Sequence, residues 1–546
     1  FFERTDPNSP NFVDLRSFIT PQSVPFKGEF INVGQAALYV QDEWSVSPRL
    51  TLTGGLRVDV PIYFTRPVAN PFSWQLDALD ENDNSIQVDQ SALPDPTPLW
   101  SPRVGFNWDV FGDRSTQIRG GTGIFTGRLP FVWVGNVISN PGANPNLFPS
   151  IDEATIPDAH ETQDNSVLQQ SFDLNAMADD FEWPQIWTTN LAVDHTLPGD
   201  VLGTLEFIYS NDQNAIVMRN YDLGAPKASI AQDGRPFYSN VDNAGQIVFG
   251  SWELNPDGNA GIYTIDNTDK GYNLNLTAQL RKEFDFGLSS NVAYSYTESK
   301  NQLQSTEIAS ALWQELPVQG DPNNPKVSDS QFGIRHRITG NANYRHLWND
   351  RLATSVGVFF TVAEGNQFLV SGGNRYSFTY SGDVNGDGSG ANDLIYIPAS
   401  QDEITLADPS QCEALDAFIE QDDYLSENRG QIAERFAAVN PWFTTIDLRL
   451  LQDVAFMLGG ERQRVQLSLD IMNVANLLNS DWGVRKVARP SATSPLELVR
   501  FQENGDGTLE PVLNYIGPSA EEGTFTDSPD ITSRWRMQFG IKYMIN

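Results

Sequence analysis

The sequence predicts an all-β protein, a transmembrane antiparallel β-barrel with long extracellular loops. Three observations lead to this fold class. Apolar and polar residues alternate with a period of two over many segments, which is the pattern of strands with two different faces. No segment approaches the roughly 18 consecutive apolar residues that a membrane-spanning helix needs. Short turns and long connections alternate strictly along the chain, as they do in membrane-spanning barrels.

Charge and composition exclude several classes of protein. The chain has 546 residues, with 35 Lys and Arg against 70 Asp and Glu, so its formal net charge is −35. This excludes nucleic acid as a partner, because binding DNA or RNA needs a basic surface. Aromatic residues make up 11% of the chain, whereas disordered proteins are poor in them. The single cysteine, Cys412, excludes an internal disulfide and a zinc site built from cysteines.

Each predicted strand has one apolar and one polar face. In the segment 50–60, Leu52 and Leu56 lie on the apolar face, whereas Arg57 and Asp59 lie on the other. The same alternation, with no charge on the apolar face, occurs in segments 103–110, 271–280, 287–296, 464–471 and 535–545. The apolar faces of these segments include Phe106, Leu276, Tyr294, Leu467 and Ile541. We expect these faces to point at acyl chains and the opposite faces to line an enclosed interior.

The connections divide into two kinds. Short turns join the strands in pairs at 46–48, 111–113, 198–200, 283–285, 348–350 and 458–460. Long connections lie between these pairs, near 62–101, 127–184, 213–270, 299–330, 364–441 and 476–533. We interpret 1–32 as an extracellular lead-in segment and 33–546 as the barrel portion, with its long connections on the extracellular side.

Backbone hydrogen bonding explains why a barrel is expected. Hydrocarbon offers no partner to a free N–H or C=O group, so only helices and closed barrels span a bilayer. The pattern yields about thirteen strands, whereas complete bacterial single-chain barrels have an even number. We therefore expect further strands upstream of this chain. The alternative is one more strand within residues 1–30, where the alternation is weak.

Several short segments resemble the C-terminal part of TonB-dependent outer-membrane receptors. The resemblance is strongest to the subgroup of Bacteroidetes-like bacteria that carries an N-terminal carboxypeptidase-regulatory-like domain. The segments span nearly the whole chain, and their order is more specific than any one of them. They are Ala37–Trp44, Leu50–Asp59, Arg119–Phe125, Arg335–Arg337, Asn476–Gly483 and Ser533–Arg536.

The resemblance implies a barrel of roughly twenty-two strands with a plugged lumen, of which this chain supplies the later strands. It also implies energy-coupled uptake of a ligand, location in the bacterial outer membrane, and an inner-membrane energy-coupling protein as partner. Upstream barrel strands, a plug segment, a surface lipoprotein, outer-membrane lipid and lipopolysaccharide are the other partners it implies. A plug domain and an N-terminal coupling box are not recognisable in this chain, so either these functions come from another segment or the molecule lacks them.

The sharpest local motif is Asp383-Val384-Asn385-Gly386-Asp387-Gly388. Oxygen-bearing side chains at positions 1, 3 and 5, with glycine at position 6, are typical of loops that wrap a calcium ion. Asp393 follows at position 11, while position 12, where such loops place glutamate, is Leu394. The metal candidates are therefore Asp383, Asn385, Asp387 and Asp393, with structural calcium as the ion and no cofactor required. The alternative interpretation is a surface turn rich in Asp, Asn and Gly.

Other motifs favour structural interpretations. Gly120, Gly121, Gly123 and Gly127 imitate a phosphate-binding loop, but they lie inside an alternating segment, so we expect small residues on a crowded strand. Cys412 falls in 406–435, where we expect one or two short helices and a packed thiol. The histidines are scattered and form no catalytic set with Ser389, so we expect no enzyme. They are His160, His195, His336 and His346.

Aromatic and acidic clusters leave alternatives open. The aromatic residues could line a ligand site or anchor the barrel at the membrane interface, and we favour anchoring at strand ends. They are Phe72, Trp74, Trp100, Trp133, Trp183 and Trp187. The loop acids are expected to be solvated, with divalent ions near lipopolysaccharide or a saline habitat as alternatives. They include Asp77, Asp80, Glu81 and Asp83.

The functional prediction is selective, energy-coupled passage of an unidentified ligand through the outer membrane. The polar face would provide the wall and the long loops would capture the ligand. One alternative is a structural or adhesive outer-membrane protein whose loops bind a matrix or a partner. A second is a soluble β-rich secreted enzyme or a propeller, although no internal repeat of 40–50 residues is visible.

Overall fold

One long antiparallel sheet organises the protein in the computed structural model. The structure describes residues 31–67, 78–140, 173–248, 261–303, 308–365 and 374–545. Thirteen strands follow one another along the sheet in chain order, the number expected from the sequence. They are β1 Val33–Ser47, β2 Leu50–Tyr63, β3 Leu99–Asp109, β4 Thr116–Thr126, β5 Gln185–Leu197, β6 Val201–Asp212, β7 Gly271–Glu283, β8 Leu288–Asn301, β9 His336–Asn349, β10 Leu352–Ala363, β11 Phe443–Leu458, β12 Glu461–Met472 and β13 Arg536–Ile545.

The strands pair with their sequence neighbours, so the sheet is a continuous meander. Within each hairpin the connection is short: two residues join β1 to β2, β9 to β10, and β11 to β12. At the opposite ends of the strands, the connections are long and extracellular. A short strand at Ser328–Asp329 pairs with β8 outside the main path. Within the described ranges, no helix is long and apolar enough to cross a membrane.

The strand register sorts the side chains as the alternation predicts. Leu52 lies opposite Trp44 on one side and Phe106 on the other, so the three side chains share the outer face. Outer-face residues are uncovered: Leu276 is 42% exposed and Phe539 is 76% exposed. Soluble proteins rarely expose contiguous apolar surfaces of this extent. The outer face is therefore the lipid-facing surface of an all-β, transmembrane antiparallel sheet.

The two ends of the sheet are β1 and β13. In the described part of the chain, β1 pairs only with β2, and β13 only with β12. Among the residues that the structure describes, each end strand therefore has one edge whose backbone N–H and C=O groups lack a neighbouring strand. Such an edge is costly in hydrocarbon, where every backbone polar group needs a partner.

Glycines on β4 allow neighbouring strands to approach closely. A Cβ atom on Gly121 would lie 2.7 Å from the carbonyl oxygen of Val104, and one on Gly120 would lie 2.8 Å from that of Asn190. Both distances are shorter than van der Waals contact. This confirms the interpretation of Gly120 and Gly121 as small residues on a crowded strand, whereas Gly127 lies just beyond β4 and is not crowded.

We expect Gly121→Ala to destabilise the barrel by about 1–3 kcal/mol, because its methyl group collides with backbone that cannot move freely. Urea unfolding of protein refolded into lipid vesicles measures the loss. The matched control is Gly54→Ala on β2, where an added Cβ meets no atom within 4 Å. Equal stability of the two variants would contradict the crowding argument.

The long extracellular connections fold together into what we call the extracellular cap: the described residues within 64–98, 127–184, 213–270, 302–335, 364–442 and 473–535. The cap helices are α1 Phe131–Ser139, α2 Ala309–Gln314, α3 Cys412–Gln421, α4 Asp423–Glu427, α5 Val474–Leu478 and α6 Pro490–Thr493. Two of them, α3 and α4, are the short helices expected in 406–435. Short 3-10 turns occur at Gln401–Glu403, Pro409–Gln411 and Ile531–Ser533.

Short strands make up the rest of the regular structure in the cap. The longest pair is the hairpin Leu496–Glu503 and Leu509–Tyr515, whose turn contains the sequence Asn504-Gly505-Asp506-Gly507, which we call the Asn504–Gly507 turn. The other strands are Ala78–Leu79, Ser85–Ile86, Leu174–Met177, Ala215–Asn220, Ala228–Ser229, Pro236–Phe237, Asn240–Val241, Ile247–Val248, Ile262–Thr268, Arg375–Tyr376, Tyr380–Ser381, Tyr396–Ile397, Thr405–Leu406, Gln431–Ile432, Ala438–Val439, Lys486–Ala488 and Phe525–Asp527.

The cap has an apolar core of its own, which corrects the picture of irregular loops. One cluster joins Phe237, Phe418 and Phe501, which come from three different connections. A second contains Trp133 and Trp183, so neither side chain anchors at the membrane interface, which was one of the two interpretations left open for them. The Nε1 of Trp183 donates to the hydroxyl of Tyr63 over 2.8 Å. Trp100 and Trp187 remain exposed on strands, as anchoring requires.

Candidate functional site

The inner face of the sheet carries ion pairs, some within one strand and others between neighbouring strands. On β2, Arg57 contacts Asp59 at 2.7 Å. Across β4, β5 and β6, Arg119 contacts Asp194 at 3.2 Å and Glu206 at 3.3 Å. These charges lie on the face opposite the lipid-facing side chains, because each occupies an alternate position of its strand. The inner face is therefore a polar wall, as the alternation predicts.

A second charged group lies at the C-terminal end of the wall. Asp453 on β11 accepts a hydrogen bond from Arg345 at 3.0 Å and one from Gln466 at 2.8 Å, and Arg464 approaches it at 4.0 Å. The side chain of Asp453 is only 6% exposed, while its arginine partners are about half exposed. Because the carboxylate of Asp453 contacts arginines from two other strands, it holds the guanidinium groups of Arg345 and Arg464 in place on the inner face.

Next to this group lies the inner groove, a depression of ≈ 390 Å³ in the polar wall. Five strands contribute adjacent residues in register: Asn343, Gly357, Arg449, Asp470 and Gln538. Gly357 leaves the depression open because it has no side chain. The Nε of Arg449 contacts Asp470 at 3.1 Å. The groove therefore offers a guanidinium, carboxylates and amides to a ligand or polypeptide, beside apolar lining residues such as Phe359 and Met472.

The predicted metal motif forms a buried turn in the cap, which we call the Asp383 loop (residues 383–394). One carboxylate oxygen of Asp383 accepts hydrogen bonds from the backbone N–H groups of Gly386, at 2.6 Å, and Asp387, at 3.1 Å. The other accepts from Gly388 at 2.8 Å. Gly386 and Gly388 have φ angles of 71° and 92°, in the left-handed region that glycine adopts readily. The motif glycines are thus required by the turn.

Asp393 is held in the Asp383 loop by an arginine that lies 158 residues away in the sequence. Its Oδ1 accepts from the guanidinium of Arg235 at 3.3 Å, and its Oδ2 accepts from the backbone N–H groups of Val384 and Asn385. The same guanidinium contacts Asp233 at 2.7 Å. Burial raises the pKa of Asp393 to about 7, although Arg235 opposes this shift.

The structure brings all four metal candidates into one turn, but with different roles. Asp393 is engaged by Arg235 and by backbone groups, whereas Asn385 and Asp387 contact each other at 2.9 Å. In the residues that the structure describes, no three Asp, Glu, His or Cys side chains are placed to hold one metal ion. Sequence reasoning missed Asn392, whose Nδ2 donates to Asp387 at 2.9 Å. Position 10 of a calcium loop is not a usual ligand position, so the pattern gave no signal for it.

The other candidates are dispersed. His336 stacks between Tyr294 and Trp442, with ring centroids 6.2 and 6.0 Å away. His346 lies near the other end of the same strand, β9, and His195 lies on β5. The hydroxyl of Ser389 donates to the carbonyl of Gln314, and Cys412 packs against the cap core, as expected. His160, Phe72, Trp74 and Asp77 lie outside the described residues.

The loop acids Asp80, Glu81 and Asp83 are solvent-accessible, as expected, and they also make local contacts within the cap. Asp80 accepts from the backbone N–H groups of Asn82 and Asn84, each at 2.8 Å. Glu81 contacts Arg219 at 3.3 Å, although both groups remain partly exposed. These acids therefore stabilise a turn and its contact with the next connection.

Comparisons with solved structures find other outer-membrane proteins at low sequence identity. The outer membrane transporter YddB from Escherichia coli is 12% identical, with a TM-score of 0.43 over 94% of this chain and 45% of that chain. A variant of the ferric enterobactin receptor PfeA from Pseudomonas aeruginosa is 10% identical, with a TM-score of 0.41 over 94% of this chain and 45% of that one. The copper transporter OprC is 10% identical, with a TM-score of 0.36 over 81% of this chain and 42% of that one.

This chain therefore spans less than half the length of these structures. The comparison with curated proteins found no match. A family model described as an outer membrane beta barrel domain matches residues 18–492. That match covers most of the chain, and it agrees with the lipid-facing outer face and the polar wall described above. The chain belongs to the family of outer membrane beta barrel domains and is located in the bacterial outer membrane.

Proposed function

We propose that this chain forms the barrel part of a TonB-dependent outer-membrane transporter that moves a polar ligand along its inner face. The inner groove is the observation that carries the proposal. A purely structural barrel wall needs polar residues, but it does not need a depression with charges fixed by cross-strand pairs. Transport of this kind needs no covalent chemistry by the protein, in line with the expectation that it is not an enzyme.

The proposal includes partners that complete the barrel. The unpaired edges of β1 and β13 would be closed by further strands, giving a barrel of roughly twenty-two strands, large enough to need a plug. A plug segment would contact the polar wall, and an inner-membrane protein would pull on it. The Bacteroidetes-type subgroup, the surface lipoprotein and contact with lipopolysaccharide also belong to this proposal, because the sequence resemblance is what supports them.

Uptake by cells tests the proposal. A deletion strain and a complemented strain would be given labelled ferric chelates, peptides, oligosaccharides and cofactors, with and without a protonophore. We expect uptake of one class to require both the protein and the proton gradient. Arg449→Ala should lower that uptake at least about tenfold, because a charge-assisted contact to the ligand is worth roughly 1.5–3 kcal/mol. The amount of protein in the outer membrane should not change.

The matched control is Arg281→Ala, which removes an exposed arginine from the inner face near a short turn, where it pairs with Glu283 at 2.6 Å. Its uptake should equal that of the unmodified protein. Unchanged uptake of every class in the deletion strain, with loss of surface attachment, would favour the adhesive alternative. The folded cap is the feature that such an adhesive protein would use.

A further inference from the structure

The Asp383 loop contains more buried negative charge than its surroundings neutralise. The side chains of Asp233, Asp383, Asp387 and Asp393 are all buried. Arg235 pairs with Asp233 and Asp393. In the described part of the chain, no lysine or arginine forms an ion pair with Asp383 or Asp387. Buried charge that is neither paired nor bound to a metal is strongly unfavourable.

Two side-chain amides converge on the carboxylate of Asp387. The Nδ2 atoms of Asn385 and Asn392 each lie 2.9 Å from the same oxygen, Oδ2 of Asp387. The oxygen and nitrogen of an amide are nearly identical in shape, so a half-turn of each amide exchanges its donor for an acceptor. Asn385 needs no such half-turn, because its Oδ1 already accepts from the backbone N–H of Asp387 at 3.0 Å. A half-turn of Asn392 would bring its oxygen to Oδ2 of Asp387, and an anionic oxygen beside an amide oxygen is an arrangement that a cation can use.

The amide oxygen of Asn392 provides an independent indication of a missing ligand. Asn392 is fully buried, and its Oδ1 has no hydrogen-bond partner. A buried acceptor without a partner costs roughly 1–3 kcal/mol. The same amide contacts Asp387 through Nδ2, so the half-turn that places its oxygen against the carboxylate breaks no hydrogen bond of that oxygen. The carbonyl oxygen of Gly320, which lies 3.2 Å from Nδ2 of Asn385, adds another acceptor at the same place.

From these contacts we propose that the Asp383 loop binds one calcium ion, with Asp383, Asn385, Asp387 and Asn392 as its side-chain ligands. Asp393 then acts as a positioning residue, which holds the backbone of Val384 and Asn385 while Arg235 neutralises it. All the donors are oxygen atoms, and calcium accepts six to eight of them in flexible geometry. Zinc favours nitrogen and sulfur ligands, and magnesium demands a stricter octahedron.

The ion would connect three extracellular connections. The backbone N–H of Tyr238 donates to the carbonyl of Asn385 at 2.8 Å, and the hydroxyl of Ser239 donates to the carbonyl of Gly386 at 2.7 Å. On the other side, Ser389 contacts the carbonyl of Gln314, and Val318 exchanges backbone hydrogen bonds with Asn392 and Leu394. Removing the ion should therefore loosen the cap at residues distant from the loop itself.

The test uses the full chain purified in detergent, with calcium as the probe. Calorimetric titration should give one site per chain, with a dissociation constant at or below the roughly 0.1–1 mM typical of extracellular calcium modules. Asp387→Asn should weaken binding at least about tenfold, because charge count sets calcium affinity. The matched control is Asp506→Asn, in the exposed Asn504–Gly507 turn, which should change affinity less than about twofold.

Limited proteolysis of the unmodified protein gives a second measurement that does not depend on a variant folding. Adding a calcium chelator should speed cleavage within 228–240 and 314–320, and calcium should reverse this, while magnesium at the same concentration should not. The proposal is overturned if no saturable calcium binding is detected at a calcium concentration tenfold above the weakest expected dissociation constant of about 1 mM. It is also overturned if Asp506→Asn weakens binding as much as Asp387→Asn, or if magnesium protects the cap equally.

Discussion

Replacing Leu276 with arginine is expected to destabilise the barrel by about 2–4 kcal/mol, because the new guanidinium would face the acyl chains near the middle of β7. Leu276 lies opposite Phe207 on β6 and Tyr296 on β8, so apolar and aromatic side chains surround it. Few polar groups are available there to pair with a charge. The loss should appear as a lower urea midpoint for protein refolded into vesicles, and as less heat-modifiable barrel on a gel.

The neighbouring residue provides the control for this prediction. Thr277 lies on the inner face, opposite Glu206 and Ser295. Thr277→Arg introduces the same side chain one position along, where water and a carboxylate are available, so we expect a change below about 1 kcal/mol. Equal losses for the two variants would mean that β7 does not have one lipid-facing side and one interior side.

Replacing Arg235 with methionine should destabilise the cap by about 3–5 kcal/mol, because it leaves Asp233 and Asp393 buried without a counter-charge. Arg235 also donates to the carbonyl of Leu394 at 2.7 Å and lies over the ring of Tyr380 at 5.5 Å. Hydrogen exchange should increase in both segments that it joins, 228–237 and 383–397. The barrel strands should keep their protection, since they do not depend on this contact.

Arg429→Met is the matched control for the arginine prediction. Arg429 contacts Asp416 at 2.9 Å, but about half of the carboxylate side chain is exposed, so the pair is solvated. We expect a loss below about 1 kcal/mol. If Arg429→Met increased hydrogen exchange as much as Arg235→Met does, burial of the Arg235 ion pairs would not determine how much they stabilise the cap.

The barrel was predictable from the sequence because its two environments impose a period of two on each strand. Leu52, Leu276 and Leu467 face lipid, and their neighbours in sequence face the interior. The short turns followed from the same pattern. Pairing register then determines which inner-face residues meet, and no local pattern encodes that register for Asn343, Gly357 and Arg449. The inner groove was therefore not predictable.

The cap was predictable only in fragments. Helices α3 and α4 and the Asn504 turn have local signals, since composition and turn residues specify them. The cap core does not, because its side chains come from connections hundreds of residues apart and follow no period. Trp133 and Trp183 illustrate this, since a tryptophan near a strand end reads equally well as an interface anchor or as a buried side chain. Arg235 and Asp393 could be paired only in three dimensions.

The shared core of the cap has a consequence for how this surface can vary. Because Phe237, Phe418 and Phe501 meet although they belong to different connections, an insertion or exchange in one of them alters the support of the others. Immune or phage pressure on a single connection would therefore select for compensating changes in its neighbours. Exchanging extracellular segments between homologues should succeed when the whole cap is transferred as one unit.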